Sequence, residues 1–295
     1  MTGKSTPKEC LEGPWREWRH ARVAELTRPY GWTALVSQDW LPEGARDVRL
    51  EGLPGSWSVD GGRIIFTPPT SGPTLCVDGA YPADPVEIVT GRNQTYGHGN
   101  SVPVYFGTRE VETIARTTIA GPIYAVRVRD PMESARKEYS GLETFDYDPA
   151  WRLPAQLYPT AHHQNEAETV EIGVRETVSI IGTLSFTLGG TEYQPFVIGK
   201  DSKRGMVPVL HIRDATNGEL TYEGGRVVEL EFADDSASRI DFVDFNYLHA
   251  LPCAFTNFVT CPRVPPENQL DVAVLAGEKR PNTTLTRIFT YEPHA

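Results

Sequence analysis

The residues with the most chemical potential fall in two stretches. One, VDFNYLHALPCAFTNFVTCPRVPPENQL over residues 243–270, holds two of the four cysteines and four prolines. Pro252, Pro262, Pro265 and Pro266 forbid a continuous helix and leave little room for a central strand. The stretch reads as an ordered loop, dense in polar side chains among aromatics, that either caps a core or lines a site. The other, HIRDATNGELTYEGGR over residues 211–226, is a strand running into an Asn-Gly turn and then toward the next strand.

Asp244 and Asn246 stand beside Phe242, Phe245 and Tyr247. A carboxylate buried there is costly unless it is paired. Arg226 or Arg213 is the available partner. The functional reading is a pocket floor with Asp244 as base or orienting carboxylate, Arg226 as anion clamp, and His249 or Tyr222 as proton donor. Asp214, Thr216, Asn246 and Cys253 would contact the ligand. The structural alternative is a buried ion pair that pins a loop to a sheet. In both versions Asp214, Arg226, Asp244 and Asn246 are expected to meet. If ADDSAS turns a hairpin, the strand opened by Arg226 pairs with the one ending at Asp244.

Other constellations are weaker. Cys253 with His249 four residues earlier matches a nucleophile and base in type, but a buried structural cysteine is the commoner case. No Cys-x-x-Cys is present, and no Gly-x-Ser-x-Gly elbow. In TAHHQNEAE, His162 and His163 are adjacent and point apart on a strand, so with Glu166 and Glu168 they read as a polar loop between strands. GRNQTYGHGN, residues 91–100, lacks the glycine spacing of a phosphate loop. It reads as a connector, with a lid tipped by His98 as the alternative. Neither a tightly bound metal nor a cofactor is expected.

The formal charge is −11, without a Lys/Arg block, which argues against nucleic acid and anionic membrane as partners. A small molecule is the expected one. MTGKSTPKECLEGPW has no apolar signal core, and no run reaches the ~18 apolar residues of a span. A cytoplasmic protein with reduced thiols follows as the expectation.

Short strands must position these residues. Hydrophobic residues make up 39% of the chain, among 24 prolines and 26 glycines. Turn signals recur about every ten residues, as in a sandwich or barrel. SWSVDGGRIIFTPP predicts a hairpin at Asp60-Gly61-Gly62. TLSFTLGGTEYQPFVI predicts two strands turning at Gly189-Gly190. IYAVRVRD alternates Tyr124, Val126 and Val128 against Ala125, Arg127 and Arg129. RVVELEF puts Val228, Leu230 and Phe232 inward and Glu229 and Glu231 outward. GPWREWRHARVAEL predicts a helix with Gly13 at its N-cap and Pro14 at its first position, laying Trp15, Trp18 and Leu26 on the sheet, with Arg22 on the same stripe. A short second helix is suggested in DPMESARKEYSGLETF. The expected fold is mainly β, a sandwich or barrel with the N-terminal helix packed on it. Its parts are a helical segment (1–30), a first β region (31–135) and a second β region (136–295).

RDATNGELTYEGGR, followed by DFN, CAF, CP, PPENQL and AGEK, resembles the bacterial family known as domain of unknown function 1684. The resemblance is carried by Arg213 to Gly218, Thr221, Tyr222, Gly225 and Arg226. It continues through Asp244 to Asn246, Cys253 to Phe255, Cys261, Pro262, Pro265 to Asn268, Leu270 and Ala276 to Lys279. It implies one β-rich architecture and common ancestry, and no reaction. After Asp-Phe-Asn the family tends to have a basic residue and Ala-Tyr-Asn-Pro-Pro, where this chain has Tyr247, Leu248, His249, Ala250, Leu251 and Pro252. The functional expectation is a small-molecule enzyme with acid–base residues in a β-lined pocket (a hydrolase, lyase or cyclase). The alternatives are a non-catalytic ligand-binding protein and a purely structural motif.

Overall fold

The computed structural model describes residues 8–90, 100–118, 120–132, 141–171, 173–202, 205–234 and 236–282. The loop expected over residues 91–100 falls outside them except for Asn100, and so does the 133–140 part of the expected second helix.

Among the described residues the fold is mainly β, with one α-helix. α1 (Lys8–Thr27) leads into β1 (Leu35–Pro42), β2 (Ser56–Asp60), β3 (Arg63–Thr67), β4 (Cys76–Val77), β5 (Val86–Glu87), β6 (Val104–Phe106), β7 (Arg109–Thr118) and β8 (Gly121–Arg129). The second half carries β9 (Arg152–Glu168), β10 (Val174–Leu188), β11 (Thr191–Tyr193), β12 (Phe196–Ser202), β13 (Gly205–Ile212), β14 (Arg226–Glu229), β15 (Phe242–Asp244) and β16 (His249–Ala250). One antiparallel sheet runs β1-β8-β7-β10-β12-β13-β14-β16, so it crosses both β regions. β2, β3 and β5 form a small separate sheet. Both expected hairpins are present. Asp60 pairs with Arg63 across Gly61 and Gly62, which have φ of 57° and 80°, and Leu188 pairs with Thr191.

β10 pairs with β12 on one side and along its length with β9 on the other. β9 in turn pairs with β15, and β14 pairs with β16. Only Phe245–Tyr247 and Leu248 separate β15 from β16, so the ladder curls back on itself in a barrel-like closure. Inside it lies a core that includes Leu184, Phe186, Leu210, Val228, Val243 and Phe245. Val228 and Leu230 point into it while Glu229 and Glu231 stay exposed, as their alternation predicts. Val227 is buried as well, in a second core on the opposite face of β14.

Three local expectations are corrected. α1 already includes Lys8, so Pro14 lies inside it rather than at its first position. Burial of Trp15 and Leu26, both C-terminal to Pro14, offsets the missing N–H. The TAHHQNEAE segment is no loop, because β9 runs through it paired to β10, and Ser179 and Ile180 face Gln164 and His163. Lastly, the ADDSAS turn closes locally, with Ala233 N donating to Arg239 O at 2.8 Å. Beyond it the chain joins β9, and β14 takes β13 and β16 as neighbours.

The helix stripe packs as expected and adds a polar anchor. Trp15 and Leu26 are buried, and Trp15 Nε1 donates to Asn246 O at 2.9 Å. Trp18 stands edge-on to Tyr247, with ring centroids 5.2 Å apart. Arg22 donates to Glu278 Oε1 at 2.9 Å and to Ala250 O at 2.7 Å. Glu278 is fully buried and accepts Ala250 N on its other oxygen at 2.8 Å. One guanidinium thus ties α1 to β16 and to the final described segment.

Candidate functional site

The expected cluster of four separates into two pairs. Asp214 Oδ2 accepts Arg226 Nη2 at 2.8 Å, and both side chains have no exposed surface. Arg226 also donates to the carbonyls of Ala276, Glu278 (3.2 Å) and Val274 (2.9 Å). Asp214 Oδ1 accepts from Thr216 N, Thr216 Oγ1 and Val274 N at 2.9, 2.6 and 3.2 Å. Two glycines let the backbone come this close. Gly225 has φ of 88°, and a Cβ there would stand 2.6 Å from Ile212 O; at Gly277, φ 76°, it would stand 2.4 Å from Leu248 O. This is the structural version of the motif, an ion pair locking residues 274–278 onto β14. Arg226 cannot act as an anion clamp, and Thr216 is buried inside the same lock.

Tyr222 is sealed too, donating its hydroxyl to Cys253 O at 3.0 Å. Burial and the neighbouring Cys253 push its pKa up, so it is not an accessible proton donor. Cys253 is 3% exposed and hydrogen-bonded to Cys261, which is also free and buried. Burial and that contact push the Cys261 thiol well up, which makes it a poor nucleophile at neutral pH. A thiol reagent such as Ellman's should therefore label exposed Cys10 at once and Cys253 and Cys261 only on unfolding. Rapid labelling of either in the native state would contradict this arrangement.

Asp244 and His249, by contrast, line a common cleft of about 740 Å³ between α1 and the sheet, together with Trp18, Tyr247, Arg152 and Phe242. Asp244 accepts both Asn246 N (3.0 Å) and Asn246 Nδ2 (2.8 Å) on Oδ1. Asn246 is held in turn by the backbone of Asp148, at 2.9 and 3.1 Å. Burial pushes the Asp244 carboxyl up, while Asn246 and Arg152 pull it back. His249 Nδ1 lies 3.1 Å from Tyr247 O. Burial, reinforced by Arg22, pushes its pKa down to about 3. At neutral pH the ring is uncharged and carries its proton on Nδ1 toward that carbonyl, so Nε2 enters the cleft chemistry as an acceptor. The expected role of His249 as proton donor does not fit.

Sequence reasoning missed Arg152, the cross-strand partner of Asp244. It lines the cleft and stacks over the Phe242 ring at 4.0 Å. The signal was long-range, a pairing between β9 and β15 across some 90 residues. It also missed a charged interior on the other side of the protein. Arg127 and Arg129 of β8 are 1% and 4% exposed. Arg129 holds Glu112 Oε2 at 3.2 and 3.0 Å, and Arg116 lies 3.4 Å from Glu176. Among the described residues, no group of three or more His, Cys, Asp or Glu is placed to hold a metal. No helix there is long and apolar enough to cross a membrane.

The fold and the cleft define an antiparallel β protein, closed barrel-like in its second half, with one helix packed over a concave, aromatic-lined face. The family model described as protein of unknown function DUF1684 matches residues 137–279, and the chain belongs to that family. The match contains the Asp214–Arg226 lock, Asp244 and His249, and leaves out α1 and Arg127. No curated protein matches. Among solved structures, the chain is similar to an uncharacterized protein of Haloarcula marismortui determined by solution NMR. The two are 30% identical over 49% of this chain and 78% of that one, with a TM-score of 0.41.

Proposed function

We propose that the protein is a small-molecule enzyme acting by proton transfer in the cleft between α1 and the sheet, of hydrolase, lyase or cyclase type. The supporting observation is the way Asp244 and His249 are held. Each commits one polar atom to the fold, Oδ1 to Asn246 and Nδ1 to Tyr247 O. That leaves Asp244 Oδ2 and His249 Nε2 for a ligand in the same cleft. Asp244 is the base, with a carboxyl raised by burial toward the working range of a general base. Arg152 takes the anion-clamp role, and Tyr247, which also lines the cleft, is the phenol able to return a proton. The volume suits a small organic molecule. The buried free thiols favour a reducing compartment such as the cytoplasm.

Native mass spectrometry of the purified protein, followed by a metabolite-pool turnover screen, would find the ligand. Asp244→Asn keeps the Asn246 bonds' geometry and removes the base. It should lower turnover by at least 10²-fold while the melting temperature stays within about 2 °C. Retention of a ligand by both proteins with no turnover by either would make the cleft a binding site only. A large loss of stability with no effect on binding would reduce Asp244 to a structural residue.

A further inference from the structure

Arg127 is 1% exposed, yet among the described residues its one hydrogen bond runs from Nε to Gln38 Oε1, at 2.8 Å, and it enters no ion pair. Its cross-strand neighbour Glu112 is turned away toward Arg129. Glu112 is 3% exposed, and its other oxygen, Oε1, is buried with no partner. Glu176, 7% exposed on β10, sets Oε1 beside Arg116 and leaves Oε2 buried with no partner. Arg116 donates from Nε to Thr260 Oγ1 at 2.7 Å. Three guanidinium groups thus face two carboxylates across β7, β8 and β10. Glu110, 3.9 Å from Arg129 and a third exposed, lies at the solvent edge.

Buried charges without partners are costly, and a packed apolar side chain at 127 would be the more stable choice. Such groups call for an explanation, and a missing ligand or ordered water supplies one. The excess charge among these buried groups is positive, and the unpartnered Glu112 Oε1 requires a donor. We infer that this interior is a second binding site, for a small carboxylate that also carries a hydroxyl group. The carboxylate takes the two terminal nitrogens of Arg127, whose planar fork matches it in bidentate fashion. The hydroxyl donates to Glu112 Oε1. The site shares no residue with the α1 cleft and stands whether or not that cleft is catalytic.

Glycolate is the simplest probe. At about a hundred-fold excess over its dissociation constant it should raise the melting temperature of the full chain by roughly 5 °C over sodium chloride at equal ionic strength. Arg127→Met should abolish that rise. A second readout needs no variant: the Arg127 Nε–H resonance, anchored on Gln38, should shift on titration with glycolate. A rise no larger than that given by chloride, together with an unmoved Nε–H resonance, would mean that the interior holds water only and would overturn the inference. An equal rise in Arg127→Met would overturn it as well.

Discussion

Asp214→Ala is expected to cost about 3–5 kcal/mol of unfolding free energy, the range for removing one partner of a buried pair. The loss has two sources. Arg226 keeps a positive charge with no exposed surface, and only carbonyls remain around its guanidinium. The Thr216 amide and hydroxyl and the Val274 amide also lose their shared acceptor, Asp214 Oδ1. Residues 274–278 should then detach from β14, and with them Glu278, which holds Arg22 of α1. Urea unfolding of variant and wild type measures the difference. Arg226→Met on the Asp214→Ala background should recover part of it, because the stranded charge is gone. A cost below about 1 kcal/mol would show that the pair does not lock the motif.

Local chemistry was legible in the sequence and long-range pairing was not. Asp60-Gly61-Gly62 and Gly189-Gly190 announced their turns because only left-handed backbone closes them. The alternation of Val228, Leu230 and Phe232 with Glu229 and Glu231 showed which side faces the first core, but not that Val227 on the other side is buried as well. That a carboxylate in the motif needs a guanidinium was also readable, and Arg226 is that guanidinium. Its partner is Asp214, twelve residues away. Asp244 is satisfied by Asn246 and faces Arg152. The difference lies in the path of the chain after Ala233, which joins β9 instead of returning to β14. No residue within 233–239 encodes that, since it depends on the edge β9 offers. The arginines of IYAVRVRD show the same limit. Alternation placed Arg127 and Arg129 together on one face, but the groups that meet that face come from far off in sequence, Trp32 on Arg129 and Thr260 on Arg116.

Glu176→Gln is expected to stabilise the protein by about 3 kcal/mol at pH 8 and to leave it unchanged near pH 4. Burial pushes the Glu176 carboxyl up to about 7, against the pull of Arg116 and Arg127. The fold keeps its proton while the unfolded chain releases it above about 4.5, so this stability is full below pH 4.5 and is lost as pH rises through 7. His211 acts in the opposite sense. Its burial at 2% exposure pushes the imidazole down to about 4 from 6.5. That stability is full above pH 6.5 and drains as pH falls toward 4. Each contribution is of the order of 3 kcal/mol, at about 1.4 kcal/mol per pH unit of displacement, so between pH 4.5 and 6.5 they nearly cancel. His249, pushed down to about 3 but half-buried, tips the balance toward a shallow rise with pH. The wild type should therefore be almost level over that window and fall steeply below it. With glutamine at 176 the opposing slope disappears, and stability should climb by roughly 3 kcal/mol or more between pH 4 and 6.5. Parallel wild-type and Glu176→Gln curves, from urea unfolding at several pH values, would show that Glu176 is ionised in the fold at neutral pH. The charge balance around Arg127 would then be one of fixed charges alone.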